Sequence, residues 1–175
     1  MMTTVGGTVV GTVAFAELPT PVGRFVLAVT EEGLVASGWG SRPRLKDLVE
    51  VDDPGRTAGA VAELTDYFAG RLRAFETPID WRFVSPTPRQ VLQALHRVPF
   101  GTVVTYGELA RRAHSSVPAR GIGSIMGANP IPIVVPCHRV VAGNGLGGFS
   151  GGEGVETKRW LLTHEGYLQP TLLDL

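Results

Sequence analysis

Apolar and polar positions change rhythm part-way along the chain. Residues 12–40, TVAFAELPTPVGRFVLAVTEEGLVASGWG, hold short apolar runs separated by PTPVG and TEEG, both turn-like. This pattern predicts a three-stranded meander. From Thr57 to Gly70, Val61, Leu64 and Phe68 recur at helical spacing, and Gly70 is placed as a C-cap. AFETPIDW, residues 74–81, reads as another strand. SPTP, Ser85 to Pro88, is the predicted linker, because prolines resist both helix interiors and central strands.

Beyond that point the period is helical. Val91, Leu92, Leu95 and Val98 mark a helix that stops at Pro99. TYGELARRA follows, with Thr105 and Glu108 spaced as a capping box. After the short HSSVP connection, ARGIGSIMGA places Ile122, Ile125 and Met126 on one face. Two short helices joined tightly suggest a helix-turn-helix. A last helix runs from about Glu156 to His164 and ends near Gly166. VAGNGLGGFSGGEG, residues 141–154, is rich in glycine but lacks the Gly-Lys-Ser/Thr ending of a phosphate-binding loop. No internal repeat is present. The expected class is α+β, with a small N-terminal α/β domain over residues 1–85 and a mainly helical domain over residues 86–175.

Composition narrows the setting. A hydrophobic content of 43% supports a real core, and 23 Gly with 13 Pro predicts frequent turns. The first fifteen residues, MMTTVGGTVVGTVAF, have no basic n-region and are interrupted by glycines, so they read as neither signal peptide nor membrane span. A single Cys excludes an internal disulfide and a multi-Cys zinc site, and points to a reducing cytoplasm. Formal net charge is zero, yet the halves differ: residues 1–87 carry 8 basic and 11 acidic side chains, residues 88–175 carry 8 and 5. Between Arg89 and Arg120 five arginines face one acid, Glu108. That excess suits an anion such as DNA, though on charge alone a solvated surface is the favoured reading.

The one thiol, Cys137, lies in IPIVVPCHRVV between Pro136 and His138. Two readings compete: a small buried hydrophobe beside a surface His-Arg pair, or a nucleophile. A thiol of pKa ~8.5 needs a base, a positive environment, or both. His138 is adjacent, but neighbours in a regular strand point to opposite faces. It serves Cys137 only if the backbone turns there or a water bridges them. Arg139 adds local positive charge. Glu165, in WLLTHEG, sits at a helix C-terminus, where the macrodipole disfavours an anion by up to ~1 kcal/mol. Holding a histidine in one tautomer would be a compensating reason.

PCHRVV, preceded by GANPIPIVV and followed by GGFSGG and WLLTHEG, resembles the methylated-DNA–protein-cysteine methyltransferases, or 6-O-alkylguanine-DNA alkyltransferases. The likeness is strong from about Val98 to Gly166. Over the N-terminal half it rests on element order and PVG. It implies a ribonuclease H-like N-terminal fold and a winged helix-turn-helix-like C-terminal one. It implies that Cys137 is the alkyl acceptor, His138 its base through a water, and Glu165 the carboxylate that orients the imidazole. Asn129 matches a hinge asparagine that ties the recognition helix to the active-site loop. Arg120 matches the arginine that fills the base stack when the damaged guanine leaves it. Tyr106 matches the tyrosine that helps rotate the nucleotide and donates to its ring. Ala119, Gly121, Gly123 and Ser124 fall on the recognition helix, and Val140, Phe149 and Ser150 on the substrate pocket.

The reaction so implied is irreversible and stoichiometric: the flipped 6-O-alkylguanine loses its alkyl group to Cys137, and guanine is restored. The implied partner is double-stranded DNA bound in the minor groove with little sequence preference. No cofactor, metal or membrane is expected, and the protein is expected to act as a cytoplasmic monomer, nucleoid-associated if bacterial. Two departures stand out. Thr87, Pro88 and Leu92 replace the family's Phe-Gln pair and Trp, and Phe149 stands where a tyrosine is common. Relatives that bind zinc do so through N-terminal Cys and His, whereas all four His here follow residue 95. The alternative is a non-repairing lesion-binding protein or a helix-turn-helix regulator.

Overall fold

The computed structural model describes residues 10–170. The expectation of no leader peptide falls largely on residues 1–9, outside the described residues. The chain divides into two compact units, residues 1–83 and 84–175.

In the first unit, β1 (Gly11–Thr20), β2 (Gly23–Thr30) and β3 (Leu34–Trp39) form the expected meander. A short β4 (Leu48–Glu50) adds to the free edge of β1 in parallel, giving the order β3-β2-β1-β4. On one face Val13, Ala28, Val35 and Ala36 pack together under Phe15, Leu45 and Leu48. Alternation along the strands sends Ala14, Leu18, Phe25, Leu27 and Val29, all buried, to the other. Helix α1 (Pro54–Phe68) packs on β1 and β2 and buries Ala60, Leu64 and Tyr67. It starts three residues earlier than the apolar spacing indicates, because Asp53 caps it by accepting from the Arg56 amide at 3.2 Å and Pro54 fits the first turn.

AFETPIDW is not a strand. It contributes a single bridge, Ile79 to Leu34, and is held by polar contacts instead. The Asp80 side chain, wholly buried, accepts from Thr30 Oγ1 at 2.6 Å, Arg82 Nε at 2.9 Å and Arg82 Nη2 at 2.8 Å. Burial alone would raise its pKa, but the hydrogen bonds and charge of Arg82 with the Thr30 hydroxyl hold it below the usual range. Asp80→Ala is expected to destabilise this unit by about 2–3 kcal/mol. The loss stays at that level because Arg82 keeps Glu31 and Glu32. A urea titration that finds less than ~0.5 kcal/mol would remove Asp80 from the scaffold.

In the second unit, SPTP is no linker. Ser85 is the N-cap of α2 (Pro86–His96), whose first turn holds Pro86. Proline lacks the amide that a first helical turn leaves unpaired anyway, so the residues that suggest a break begin a helix. Then come β5 (Val104–Thr105), α3 (Tyr106–Arg112), α4 (Ala119–Gly127), a 3-10 turn at Cys137–Arg139, β6 (Val140–Val141) and α5 (Val155–His164). The capping box is formed: the Glu108 amide donates to Thr105 Oγ1 and the Thr105 amide to Glu108 Oε2, each at 3.2 Å. The core joins Val91, Leu92 and Leu95 of α2, Leu109 of α3, Ile122 of α4 and Leu161 and Leu162 of α5. β5 and β6 pair in parallel, Val104 with Val140 and Thr105 with Val141. This places the start of α3 beside the chain that leaves the thiol. Among the described residues no helix is long and apolar enough to cross a membrane.

Candidate active site

From Ile131 to Val141 every residue except Pro132 is buried. Asn129 brackets the start of this stretch: its Nδ2 donates to the Val135 carbonyl at 2.8 Å and its Oδ1 accepts from the Ile131 amide at 3.0 Å. Inside the bracket Ile133 has φ of +74°, a left-handed conformation that costs a β-branched residue about 1–3 kcal/mol. The bracket therefore links the end of α4 to a strained approach to the thiol.

At Cys137 the chain makes a 3-10 turn, closed by the Arg139 amide on the Pro136 carbonyl at 2.9 Å. The backbone bend that lets adjacent residues cooperate is therefore present. His138 and Arg139 do not form a surface pair: both are buried. His138 Nε2 lies 2.7 Å from Glu165 Oε2. An ionised carboxylate can only accept, so Nε2 carries the proton and Nδ1 keeps its lone pair. Among the described residues Nδ1 has no hydrogen-bond partner.

Arg139 does something other than lend charge to the thiol. Its Nε donates to Glu165 Oε1 at 2.8 Å, its Nη2 to Oε2 at 3.0 Å and its Nη1 to the Val98 carbonyl at 2.7 Å. Glu165 is thus shared by imidazole and guanidinium. Burial would raise its pKa, but His138 and Arg139 outweigh that and hold it far below the ordinary carboxylate range. The buried guanidinium of Arg139 explains an acid at the C-cap of α5. For His138, burial pushes the pKa down against the pull of Glu165, so the resting imidazole is neutral. Cys137 is 8% exposed, and burial raises its thiol pKa against smaller lowering effects from Asn129 and Lys158. The resting pair is therefore neutral thiol and neutral imidazole.

Tyr106, half-buried at the start of α3, faces the Gly-rich loop and α4. Gly147 in that loop has φ of +74°, and a Cβ there would lie 2.9 Å from the Tyr106 hydroxyl. Gly123 faces the same ring from α4. Gly121 has an internal reason to be small, since a Cβ would come within 2.4 Å of Val117 Cγ1. Ala119, Arg120 and Ser124 are exposed on α4. Val140 is buried directly after the turn, Phe149 is half-buried and Ser150 is exposed. The sequence alone singles out neither Lys158 nor the pairing of Arg139 with Glu165. The available signal was helical spacing: Thr157, Lys158, Leu161 and Leu162 share the buried face of α5. Among the described residues no group of three or more His, Cys, Asp or Glu is arranged to hold a metal ion.

Two family models divide the chain between them. The 6-O-methylguanine DNA methyltransferase ribonuclease-like domain matches residues 13–81, and the DNA binding domain of the same family matches residues 86–167. A methylated-DNA–protein-cysteine methyltransferase of Mycolicibacterium paratuberculosis is 36% identical over 93% of this chain and 98% of its own. The chain belongs to the 6-O-methylguanine DNA methyltransferase family. Another member, from Salmonella typhimurium, is 47% identical over 70% of this chain and 69% of its own. Among solved structures, Mycobacterium tuberculosis OGT in complex with DNA superposes with a TM-score of 0.77 at 34% identity, over 92% of this chain and 98% of that one. The α+β class expected from the sequence, with a sheet unit followed by a helical unit, is that of these methyltransferases.

Proposed function

We propose that this protein repairs DNA by transferring the alkyl group of 6-O-alkylguanine to its own Cys137. The observation that carries the reading is the buried turn in which Cys137 is followed by a histidine whose Nε2 is held by Glu165 at 2.7 Å. In a duplex the alkyl carbon lies beyond a protein thiol's reach, so the nucleotide rotates out at a cost of a few kcal/mol. His138 Nδ1 takes the Cys137 proton through a bridging water, and the imidazolium is stabilised by Glu165. The thiolate attacks the alkyl carbon. The S–C bond forms as the C–O bond breaks, and the electron pair leaves on the guanine. Tyr106 donates toward the ring as that charge develops. The proton held by His138 returns to the base, so guanine and a neutral thioether are the products. No neighbouring group is set to cleave a thioether, so one protein repairs one lesion.

Residues 86–175 carry this chemistry and residues 1–85 support them. The exposed side of α4, with Ala119, Arg120 and Ser124, enters the minor groove, where readout is degenerate and binding weakens with salt. Gly121 and Gly123 keep the same helix slim against Val117 and Tyr106. Val140, Phe149 and Ser150 line the pocket for the flipped base. The protein acts as a monomer in the cytoplasm.

The deciding experiment is intact-protein mass after incubation with a duplex containing 6-O-methylguanine. Gain of one methyl, mapped to Cys137 and stopping at one per protein, is the expected result. DNA binding without mass gain would leave a lesion sensor or regulator. Arg120→Ala should slow repair of duplex DNA by about 10–100-fold, because filling the vacated stack offsets part of the flipping cost. Its stability should stay within ~0.5 kcal/mol of wild type, since the side chain is exposed. Unchanged duplex repair would count against the stack-filling role.

A further inference from the structure

Lys158 lies near the start of α5, and its side chain is among the largest that are fully buried. Lysine is seldom buried without strong compensation. Here Nζ donates to the Val140 carbonyl at 2.6 Å and to the Gly148 carbonyl at 3.1 Å. Val140 directly follows the thiol turn, and Gly148 belongs to the Gly-rich loop whose Gly147 meets Tyr106. One ammonium therefore fastens two pocket walls. Arg139, the other buried cation of the site, is matched by Glu165. The partners of Lys158 among the described residues are neutral carbonyls.

We propose that Lys158 is a positioning residue for alkyl transfer: it pins the Gly-rich loop to β6 and holds a fixed positive charge on the carbonyl that ends the thiol turn, where it favours a thiolate on Cys137. The proposal rests on Cys137 being the alkyl acceptor. Lys158 gives up no proton in the reaction. The Cys137 proton goes to His138, and the ammonium only favours the anion left behind. Burial lowers the Lys158 pKa to about 8, with Cys137 pulling it back up, so the charge persists at neutral pH. The titratable groups that feel it are Cys137 and His138 of the turn, while Arg139 and Glu165 compensate each other behind His138.

The test uses the full chain as wild type, Lys158→Met and Lys158→Arg. Two quantities are read: the rate of methyl transfer from a 6-O-methylguanine duplex, and the pH midpoint of Cys137 alkylation by iodoacetamide without DNA. Lys158→Met is expected to slow transfer about 100-fold and to raise the midpoint by about one pH unit. Lys158→Arg should restore the midpoint and part of the rate, since it keeps the charge on a bulkier head. A wild-type midpoint and rate in Lys158→Met would overturn the proposal. So would equal losses in both variants with the midpoint unmoved, which would mark a packing role. If wild type transfers no methyl, the repair reading fails, yet the iodoacetamide midpoint still tests the charge. Should Lys158→Met not fold, the 13C titration of Lys158 Cε in wild type decides. Its midpoint should fall once Cys137 is capped with iodoacetamide, and an unchanged midpoint would refute the coupling.

Discussion

Cys137→Ser should bind 6-O-methylguanine duplexes as wild type does and transfer nothing, a loss of more than about 10⁴-fold. A hydroxyl is too weak an acid to be ionised by a neutral imidazole in a buried site. The substitution is nearly isosteric, and Asn129 stays within reach of the new hydroxyl, so the melting temperature should move little. Binding by gel shift and mass after incubation are the two readouts. Methyl gain by this variant would move the acceptor elsewhere and undo the mechanism.

Glu165→Gln should have the next largest effect, on both stability and rate. The amide cannot satisfy Arg139 and His138 together, and the guanidinium loses its buried counter-charge. Breaking a buried pair from one side costs about 3–5 kcal/mol. Transfer should slow by about 10²–10⁴-fold, because the imidazole loses its fixed tautomer and its stabilising anion. The pH dependence of stability changes too. Glu165 has a depressed folded pKa, so its contribution is full above the ordinary carboxylate value and fades as pH falls toward the folded one. His138 is also depressed, so its unfolded form takes up a proton first, and stability falls as pH drops through about 6.5. Both act in one direction, and wild type should weaken steadily in acid. The variant should be weaker at pH 8 and, on titration from pH 8 to pH 3, should lack the carboxylate's share of the loss, which sets in as pH falls through about 4.5. Urea titrations across that range settle the matter, and parallel curves for the two proteins would contradict the shared-carboxylate reading.

The elements with a strong period were legible from sequence: the meander, the capping box at Thr105 and Glu108, and the helical face of Val91, Leu92 and Leu95. Proline misled at Ser85–Pro88, because the same residue that breaks a helix interior is tolerated in its first turn. AFETPIDW failed for a different reason. Its alternation is genuine, but the Asp80–Arg82–Thr30 contacts hold it by side chains, which a backbone period does not register. At the site, Cys137 and His138 are adjacent and so were visible together. Glu165 was noticed as an acid in an unfavourable place, while its second partner, Arg139, read as a free charge. Nothing in the order of residues says that a guanidinium turns toward a helix 26 positions later. Lys158 was overlooked because a lysine on an apolar helix face resembles one that reaches past it to solvent.

The span of these contacts bears on how the molecule is made. The meander closes through neighbouring strands, and such local pairings form early. The catalytic turn depends on partners from Val98 at one extreme to Glu165 at the other. During synthesis, at roughly 5–20 residues per second, the sheet unit has time to fold before the last helix leaves the ribosome. Cys137 leaves the ribosome before Glu165, the partner of His138, has followed it out. A nascent chain therefore carries an unarmed thiol, and its one chance to react is kept for the finished protein.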